Sequence, residues 1–497
     1  MAASRPKTSR HTEVERKFEV LDATVSPSFE GLSAVTRVER LPSQQLEAVY
    51  FDTAGHDLAA HRVTLRRRTG GSDAGWHLKL PAGPDTRTEV RTPLDQGVDG
   101  DVPADLRDVV LAIVRDRPLG PVARISTDRT VDLLFGADGS PIAEFSDDKV
   151  VASAGEGERQ QWREWELELV EGGPASPDLL DRLANRLFDA GAAPAGHGSK
   201  LARVLAGAHD DDTPKKPKAD PIHRAVAEQV DQLVEWDRAV RADVDDSVHQ
   251  MRVTTRKIRS LLQSSEDAFG ISDDAWILGE LRQLAAVLGV ARDAEVLAER
   301  YERALHEQPN ELIRGPVWDR LVDGAKRQYA SGLRRSLIAM RSQRYFRLLD
   351  ALEGLVATEP LSTPAGEEDR GPTTIESAYK KIRKAAKAAA QAEEAGKDEA
   401  LHRIRKGAKR LRYTAAATGA DEVSARAKTI QTLLGDHQDS VVSRAHLSRQ
   451  AQTAHAAGED TFTYGLLYQL EDELARRSRE QLEAALKKLD KSVRKKL

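Results

Sequence analysis

The chain has 497 residues, 40% hydrophobic and 31% charged, with a formal net charge of −5 and no cysteine. Disulfides, thiolate metal sites, iron–sulfur clusters and a cysteine nucleophile are thereby excluded, and no stretch approaches the roughly 20 apolar residues that a membrane span needs. The small total charge hides an asymmetry: residues 1–213 hold 26 Lys and Arg against 36 Asp and Glu, and residues 214–497 hold 49 against 44.

Residues 1–10 are polar and lack the apolar core of a signal peptide, so they are expected to be a flexible N-terminus and the address cytoplasmic. From there to residue 207 the patterns favour strands: Glu13–Val20 (EVERKFEV), Arg62–Arg68 (RVTLRRR), Trp76–Leu80 (WHLKL), Thr88–Thr92 (TEVRT) and Glu164–Val170 (EWELELV). Several alternate with period two, and Gly, Pro and Asp separate them. Pro177–Ala190 carries Leu179, Leu180, Leu183 and Leu187 at helical spacing. The expected class is α+β, with a large antiparallel sheet or barrel.

Charge sits on one parity of these strands: Glu13, Glu15 and Lys17; Arg66 and Arg68; Arg87, Glu89 and Arg91; Glu164, Glu166 and Glu168. Successive strand side chains point to opposite faces, so each set lines one surface. One reading is a solvated face with cross-strand ion pairs. The other is a closed barrel whose apolar face packs outward and whose charged face becomes a lumen. In such a lumen carboxylates suit Mg²⁺ or Mn²⁺, and Arg and Lys suit phosphate oxygens, the equipment of phosphoryl or nucleotidyl transfer.

Residues 208–220 carry prolines and mixed charge without large apolar side chains and read as a linker. Residues 221–497 are rich in Ala, Leu, Arg, Glu and Lys with helical periodicity, as in Trp276–Glu299 and Val317–Leu355, and are expected to form an all-α bundle. A second break, Glu359–Thr374, divides them into halves of about 221–358 and 375–497.

The halves repeat. VHQMRVTTRKIRSLL from Val248 matches LHRIRKGAKRLRYTA from Leu401, pairing His249, Arg252, Arg256 and Arg259 with His402, Arg405, Lys409 and Arg412. Lys257, Lys406 and Arg410 add to these basic faces. Downstream, Leu288, Gly289, Asp293 and Val296 match Leu434, Gly435, Asp439 and Val442. At about 100° per residue each set of four matched cations falls within an arc of roughly 80°. A solvated face would mix signs, because like charges at i,i+4 repel, so an anion-binding face is the stronger reading. Two such stripes facing each other would make a basic channel suited to a linear polyphosphate. Nucleic acid is disfavoured, since only Tyr413 offers a stacking surface. Asp293 and Asp439 either orient an Arg or His or cap a helix after a turn at the glycines.

These residues carry a resemblance. Glu13-Val14-Glu15-Arg16-Lys17 is similar to the ExExK signature of the CYTH family of triphosphate tunnel metalloenzymes. Tyr50-Phe51-Asp52-Thr53, Leu65-Arg66-Arg67-Arg68, His77-Leu78-Lys79, Arg87-Thr88-Glu89-Val90-Arg91, Glu166-Leu167-Glu168 and Ser199-Lys200 resemble the family's further motifs in order, over about 11–207. The basic helical repeat resembles the CHAD domain, a frequent partner of CYTH, over about 221–497.

The resemblance implies Glu13, Glu15 and Lys17 as catalytic residues. Glu13, Glu15, Glu166 and Glu168 would hold Mg²⁺ or Mn²⁺, with Glu144 a further acid on that side. Arg66, Arg68, Lys79, Arg87, Arg91 and Lys200 would hold the phosphate chain. Glu89 would bind metal or tune an Arg, and Arg124 and Arg129 fall where the family has a further basic strand. It also implies polyphosphate binding by the helical basic residues, with recruitment to polyphosphate granules. The activity expected is hydrolysis of inorganic tripolyphosphate. A non-catalytic polyphosphate-binding protein and an adenylate cyclase are the alternatives.

Overall fold

The computed structural model describes residues 9–97, 100–155, 157–170, 177–206, 221–265, 269–272, 275–357 and 374–496. The linker expected at 208–220, residues 1–8 of the expected flexible N-terminus and nearly all of the second break lie outside the described residues. Ser9 and Arg10, expected in that N-terminus, already belong to the first strand.

The strands are β1 (Ser9–Val20), β2 (Arg37–Arg40), β3 (Gln44–Asp52), β4 (Thr64–Thr69), β5 (Gly75–Pro81), β6 (Thr86–Thr92), β7 (Gly120–Phe135), β8 (Pro141–Ala154), β9 (Gln160–Leu169) and β10 (Ala193–Pro194). Eight pair antiparallel in the order β1-β6-β5-β4-β3-β7-β8-β9, and β9 pairs back onto β1 to close the barrel. β2 extends β7, and β10 extends β1.

Parity then acts as expected. The outward residues Phe18, Phe145, Trp165 and Leu167 are buried under Leu179, Leu180, Leu183 and Leu187 of helix Pro177–Asp189. Each such side chain contributes roughly 1.5–3 kcal/mol by leaving water. At one end of the barrel the inward residues are apolar instead. Tyr50, Ala123, Ile125, Val150, Ala152 and Trp162 pack against Leu201 and Val204 of helix Lys200–Ala206, which plugs that end.

The longer helices of the remainder are α1 (Pro221–Arg241), α2 (Ser247–Ser264), α3 (Trp276–His306), α4 (Gly324–Ala339), α5 (Gln343–Ala357), α6 (Ile375–Gln391), α7 (Glu394–Ala417), α8 (Asp421–Ala456) and α9 (Phe462–Lys496). The stretch Val317–Leu355, expected as one helical segment, is a π turn over Trp318–Asp323, then α4, a short turn and α5.

Two compact units emerge, one drawn from Met1–Leu284 and Leu337–Pro360, the other from Ala285–Ser336 and Leu361–Leu497. The first joins the barrel to α1, α2 and α5. Arg241 of α1 holds Asp237 at 2.6 Å and Asp108 at 3.1 Å. Buried Arg115, just before β7, holds Glu353 of α5 at 2.5 Å.

The repeat is visible in burial. Val248, Met251, Thr255, Ile258 and Leu262 of α2 are buried, as are the matched Leu401, Ile404, Ala408, Leu411 and Ala415 of α7. Gly289 and Gly435 lie inside α3 and α8, so no turn follows them and the capping reading of Asp293 and Asp439 falls. Gly435 has another reason: a Cβ there would stand 3.3 Å from an Arg405 guanidinium nitrogen.

Candidate functional site

The barrel encloses a cavity of about 760 Å³. Its lining includes Glu13, Glu15, Lys17, Arg66, Arg68, Lys79, Arg87, Glu89, Arg91, Arg129, Glu144, Glu166, Glu168 and Lys200. The solvated-face reading of the charged parity is thereby replaced by the lumen. Arg124 is the exception: it is exposed and does not line the cavity. It lies five positions from Arg129 on one strand, so alternation turns one of them outward, and the buried neighbours Ala123 and Ile125 take the inward places.

The acidic wall is a row across three strands. Glu15 of β1 lies opposite Glu168 of β9, and Glu168 lies opposite Glu144 of β8. Like charges directly opposite repel. Glu15 of this row, and Glu13 two residues before it, are compensated by lysines. Lys17 Nζ stands 2.9 Å from Glu15, and Lys79 Nζ 2.6 Å from Glu13 on the same strand. Burial alone would raise Glu15, but Lys17 and Lys79 outweigh it and hold the carboxyl at about 2. Among the described residues none forms an ion pair with Glu168. Burial and the neighbouring Glu13, Glu15 and Glu144 push its carboxyl up to about 7, against the pull of Lys79. Burial likewise raises Glu13.

The resemblance puts Glu166 beside Glu168 as a metal ligand and Lys200 on the phosphate. In the structure the two are paired with each other. Glu166 receives Lys17 at 2.5 Å, Arg129 at 2.5 Å and Lys200 at 2.8 Å. These cations overcome burial and hold it well below the usual carboxylate range. Asp148, Glu164 and Glu166 bring carboxylate oxygens within 4.8 Å of one another, a spacing that would suit a metal ion. Lys200 Nζ, however, lies 2.8, 2.7 and 2.8 Å from the three. The ammonium lies against that cluster, whereas Glu144 and Glu168, in the row that Glu15 continues on β1, form no ion pair among the described residues. Their hard oxygen donors suit a divalent cation such as Mg²⁺ or Mn²⁺.

The basic wall is formed by Arg66, Arg68, Arg87, Arg91 and Arg129. Arg66 donates to the Tyr50 hydroxyl at 3.3 Å, and among the described residues no carboxylate forms an ion pair with it. Arg68 is buried and pairs with Asp73. Burial and repulsion from Arg66 and Arg129 bring its guanidinium down to about 9. Arg87 donates to the Gly198 carbonyl at 3.0 Å, and Arg91 pairs with Glu89. Glu89 is also 2.9 Å from His77 Nδ1, while His77 Nε2 is 2.9 Å from the Asp73 carbonyl. Glu89 thus holds Arg91 and His77.

Tyr50, Asp73, His77, Asp148 and Glu164 were not among the expected site residues. Asp148 shares the parity of Glu144, and His77 that of Lys79, so alternation along β8 and β5 was the available signal. Asp73 lies in a hairpin loop and had none.

The basic stripes hold their pattern. His249, Arg252 and Arg259 on α2 are half-buried beside its buried seam, with Arg256 and Lys257 exposed. On α7, His402, Arg405, Lys409 and Arg412 are half-buried, with Lys406 and Arg410 exposed. Tyr413 is exposed, with Lys409 Nζ 5.9 Å and the Arg412 guanidinium 5.6 Å from its ring centre. α2 belongs to the first unit and α7 to the second. Among the described residues no helix is long and apolar enough to cross a membrane.

Comparison with known proteins agrees with this division. The model of the CYTH domain matches residues 11–186, and that of the CHAD domain residues 224–448. An uncharacterized protein of Mycobacterium tuberculosis H37Rv is 65% identical over 513 aligned positions, covering all of this chain and 99% of its own. The crystal structure of the CHAD domain from Ricinus communis shares 22% identity, covering 53% of this chain and 90% of its own, with a TM-score of 0.40. PptA from Streptomyces chartreusis shares 19%, covering 54% of this chain and 98% of its own, with a TM-score of 0.44. With a charged barrel lumen in its first part and a duplicated basic helix in its second, the chain belongs to the family that joins a CYTH domain to a CHAD domain.

Proposed function

We propose that the barrel binds a triphosphate-type anion together with Mg²⁺ or Mn²⁺ and hydrolyses its terminal phosphoanhydride, with inorganic tripolyphosphate as first substrate. The observation that carries this reading is the charge imbalance of both signs within one lumen. Among the described residues Glu144 and Glu168 form no ion pair with a cation, and Arg66 forms none with a carboxylate. A polyphosphate with its divalent cation supplies both signs of charge.

Glu13, Glu15 and Glu168, with Glu144, would hold the cation. When bound, it would neutralise phosphate oxygens and lower the pKa of a water that attacks phosphorus. Arg66, Arg68, Arg87 and Arg91 would bind the chain, Arg as a bidentate donor to phosphate oxygens. Lys17, Lys79 and Glu89 would orient these groups, and Glu166 with Lys200 would brace the plugged end. Positioning and charge neutralisation supply most of such catalysis. Orthophosphate release from tripolyphosphate by full-length protein with Mg²⁺ or Mn²⁺ tests the reading; no release would overturn it. One observation favours a second reading, a receptor without hydrolysis: Arg129 and Lys200 are both committed to carboxylates, which leaves fewer cations for the transferred phosphate. Tripolyphosphate binding without turnover would select it.

Metal binding is expected to depend on pH through Glu168. A proton and a divalent cation compete for its carboxylate. Apparent Mn²⁺ affinity should therefore climb as pH rises toward about 7 and level off above it. Titration of Mn²⁺ between pH 5.5 and 8.5, followed by electron paramagnetic resonance, checks this. A flat profile would exclude Glu168 as ligand.

The stripes on α2 and α7 would bind longer polyphosphate, and such binding would place the protein in the cytoplasm beside polyphosphate granules. Arg252→Ala with Arg405→Ala is expected to weaken polyphosphate binding and flatten its dependence on salt, since each lost cation releases fewer counterions. Titrations across salt concentrations check both. Unchanged affinity would remove the stripes from the binding face.

A further inference from the structure

The β4–β5 hairpin brings a carboxylate into the basic wall. It is a glycine-bearing turn, Gly70-Gly71-Ser72-Asp73-Ala74. Gly70 has φ of 79°, and a Cβ on it would stand 2.1 Å from the Gln45 carbonyl oxygen, so only glycine lets the turn lie against β3. Gly71 also has positive φ, at 73°. Ser72 and Asp73 line the same cavity as Arg66, Arg68 and Arg129. The Asp73 carboxylate pairs directly with the Arg68 guanidinium, and its carbonyl meets His77 Nε2 at 2.9 Å. Arg68 is 7% exposed at the side chain and Asp73 33%, so the acid reaches from the open side onto a buried cation.

We propose that Asp73 is a built-in competitor for the phosphate subsite at Arg68, which a phosphate must displace before it takes that guanidinium. The inference rests on the reading of the lumen as a phosphate site. An anion cannot share Arg68 with Asp73 without facing a like charge, whereas at Arg66, with which no carboxylate pairs among the described residues, it meets no such competitor. The carboxylate therefore keeps the basic wall partly neutral when no ligand is bound. Its displacement is a fixed cost to every anion that reaches Arg68.

The test is calorimetric titration of full-length protein with inorganic tripolyphosphate in EDTA, where no turnover occurs. The tunnel component is the part of the binding lost in the Arg66→Gln, Arg68→Gln variant. Removing one partly solvated ion pair is worth about a five-fold change, so Asp73→Asn should tighten the tunnel component about five-fold. Asp73→Glu, which keeps the charge, should leave it as in the wild type. In an Arg68→Gln background, Asp73→Asn should have no further effect. Weaker or unchanged binding in Asp73→Asn, or an equal gain without Arg68, overturns the competitor. Equal binding by the wild type and the Arg66→Gln, Arg68→Gln variant overturns the tunnel reading itself, whatever Asp73→Asn does.

Discussion

Replacing Glu13 and Glu15 together by glutamine should lower orthophosphate release from tripolyphosphate by about a thousand-fold, the scale of losing a charge-stabilising clamp on a transferred phosphoryl group. The substitutions keep side-chain shape but remove two of the carboxylates that would hold the cation. They also release Lys79 and Lys17 from partners at 2.6 and 2.9 Å. Lys17 keeps Glu166 at 2.5 Å, while Lys79 would be freer to bind phosphate, so affinity for the anion should hold while turnover collapses. Binding of long polyphosphate by the helical stripes should be unchanged, because α2 and α7 contain neither residue. Single-turnover release and polymer titration on the same preparation separate the two effects. Turnover within ten-fold of the wild type would exclude Glu13 and Glu15 from the metal site. An equal fall in polymer binding would mean that the lumen and the stripes do not act as two sites.

The second large effect is on stability. Lys200→Met is expected to destabilise the plugged end of the barrel by about 3–5 kcal/mol, the range for removing one partner of a buried ion pair. It leaves Asp148, Glu164 and Glu166 facing one another, with Arg129 and Lys17 the cations still paired with members of the group among the described residues. In the wild type, Lys200 and Arg129 overcome burial and hold Asp148 below its usual value, and Glu166 lies well below. Groups with depressed folded pKa values contribute stability above their unfolded values, near 4, and lose it as pH falls through the folded values. Removing Lys200 takes away part of that contribution. The deficit should therefore be full at neutral pH and shrink below about pH 4, where the unfolded carboxylates also carry protons. Hydrogen exchange of β8 and β9 amides reads this locally. Wild-type protection at pH 7 would show that Lys200 does not hold the three acids, and would reopen the place for a cation there.

Much of the barrel was legible in the sequence. The alternation of Glu13, Glu15 and Lys17, of Arg66 and Arg68, and of Glu164, Glu166 and Glu168 is a local property of extended backbone, so each strand announced its charged face. The same rule, applied to β7, separates Arg124 from Arg129, because an odd spacing puts them on opposite faces. Applied to β8, it groups Asp148 with Glu144. The helical repeat was equally legible, since its buried seam and basic stripe recur at fixed offsets. What alternation could not decide was whether the charged face met water, because closure depends on β9 pairing back onto β1, more than a hundred residues away.

The partners of each charge were likewise beyond the sequence. Motif order placed Glu166 with the metal and Lys200 with the phosphate, but the registers of β8 and β9 bring three carboxylates around one ammonium. They leave Glu168 between Glu15 and Glu144 without a cation. The sequence by itself determined which residues face one another's side of the barrel and which helices carry a basic stripe, because these follow from the period of the backbone. Only the tertiary structure decided which charges neutralise each other, that Asp73 reaches Arg68, and that glycine inside α8 makes room for Arg405. Those outcomes depend on distances between segments remote in the chain, and electrostatic energy depends on such distances.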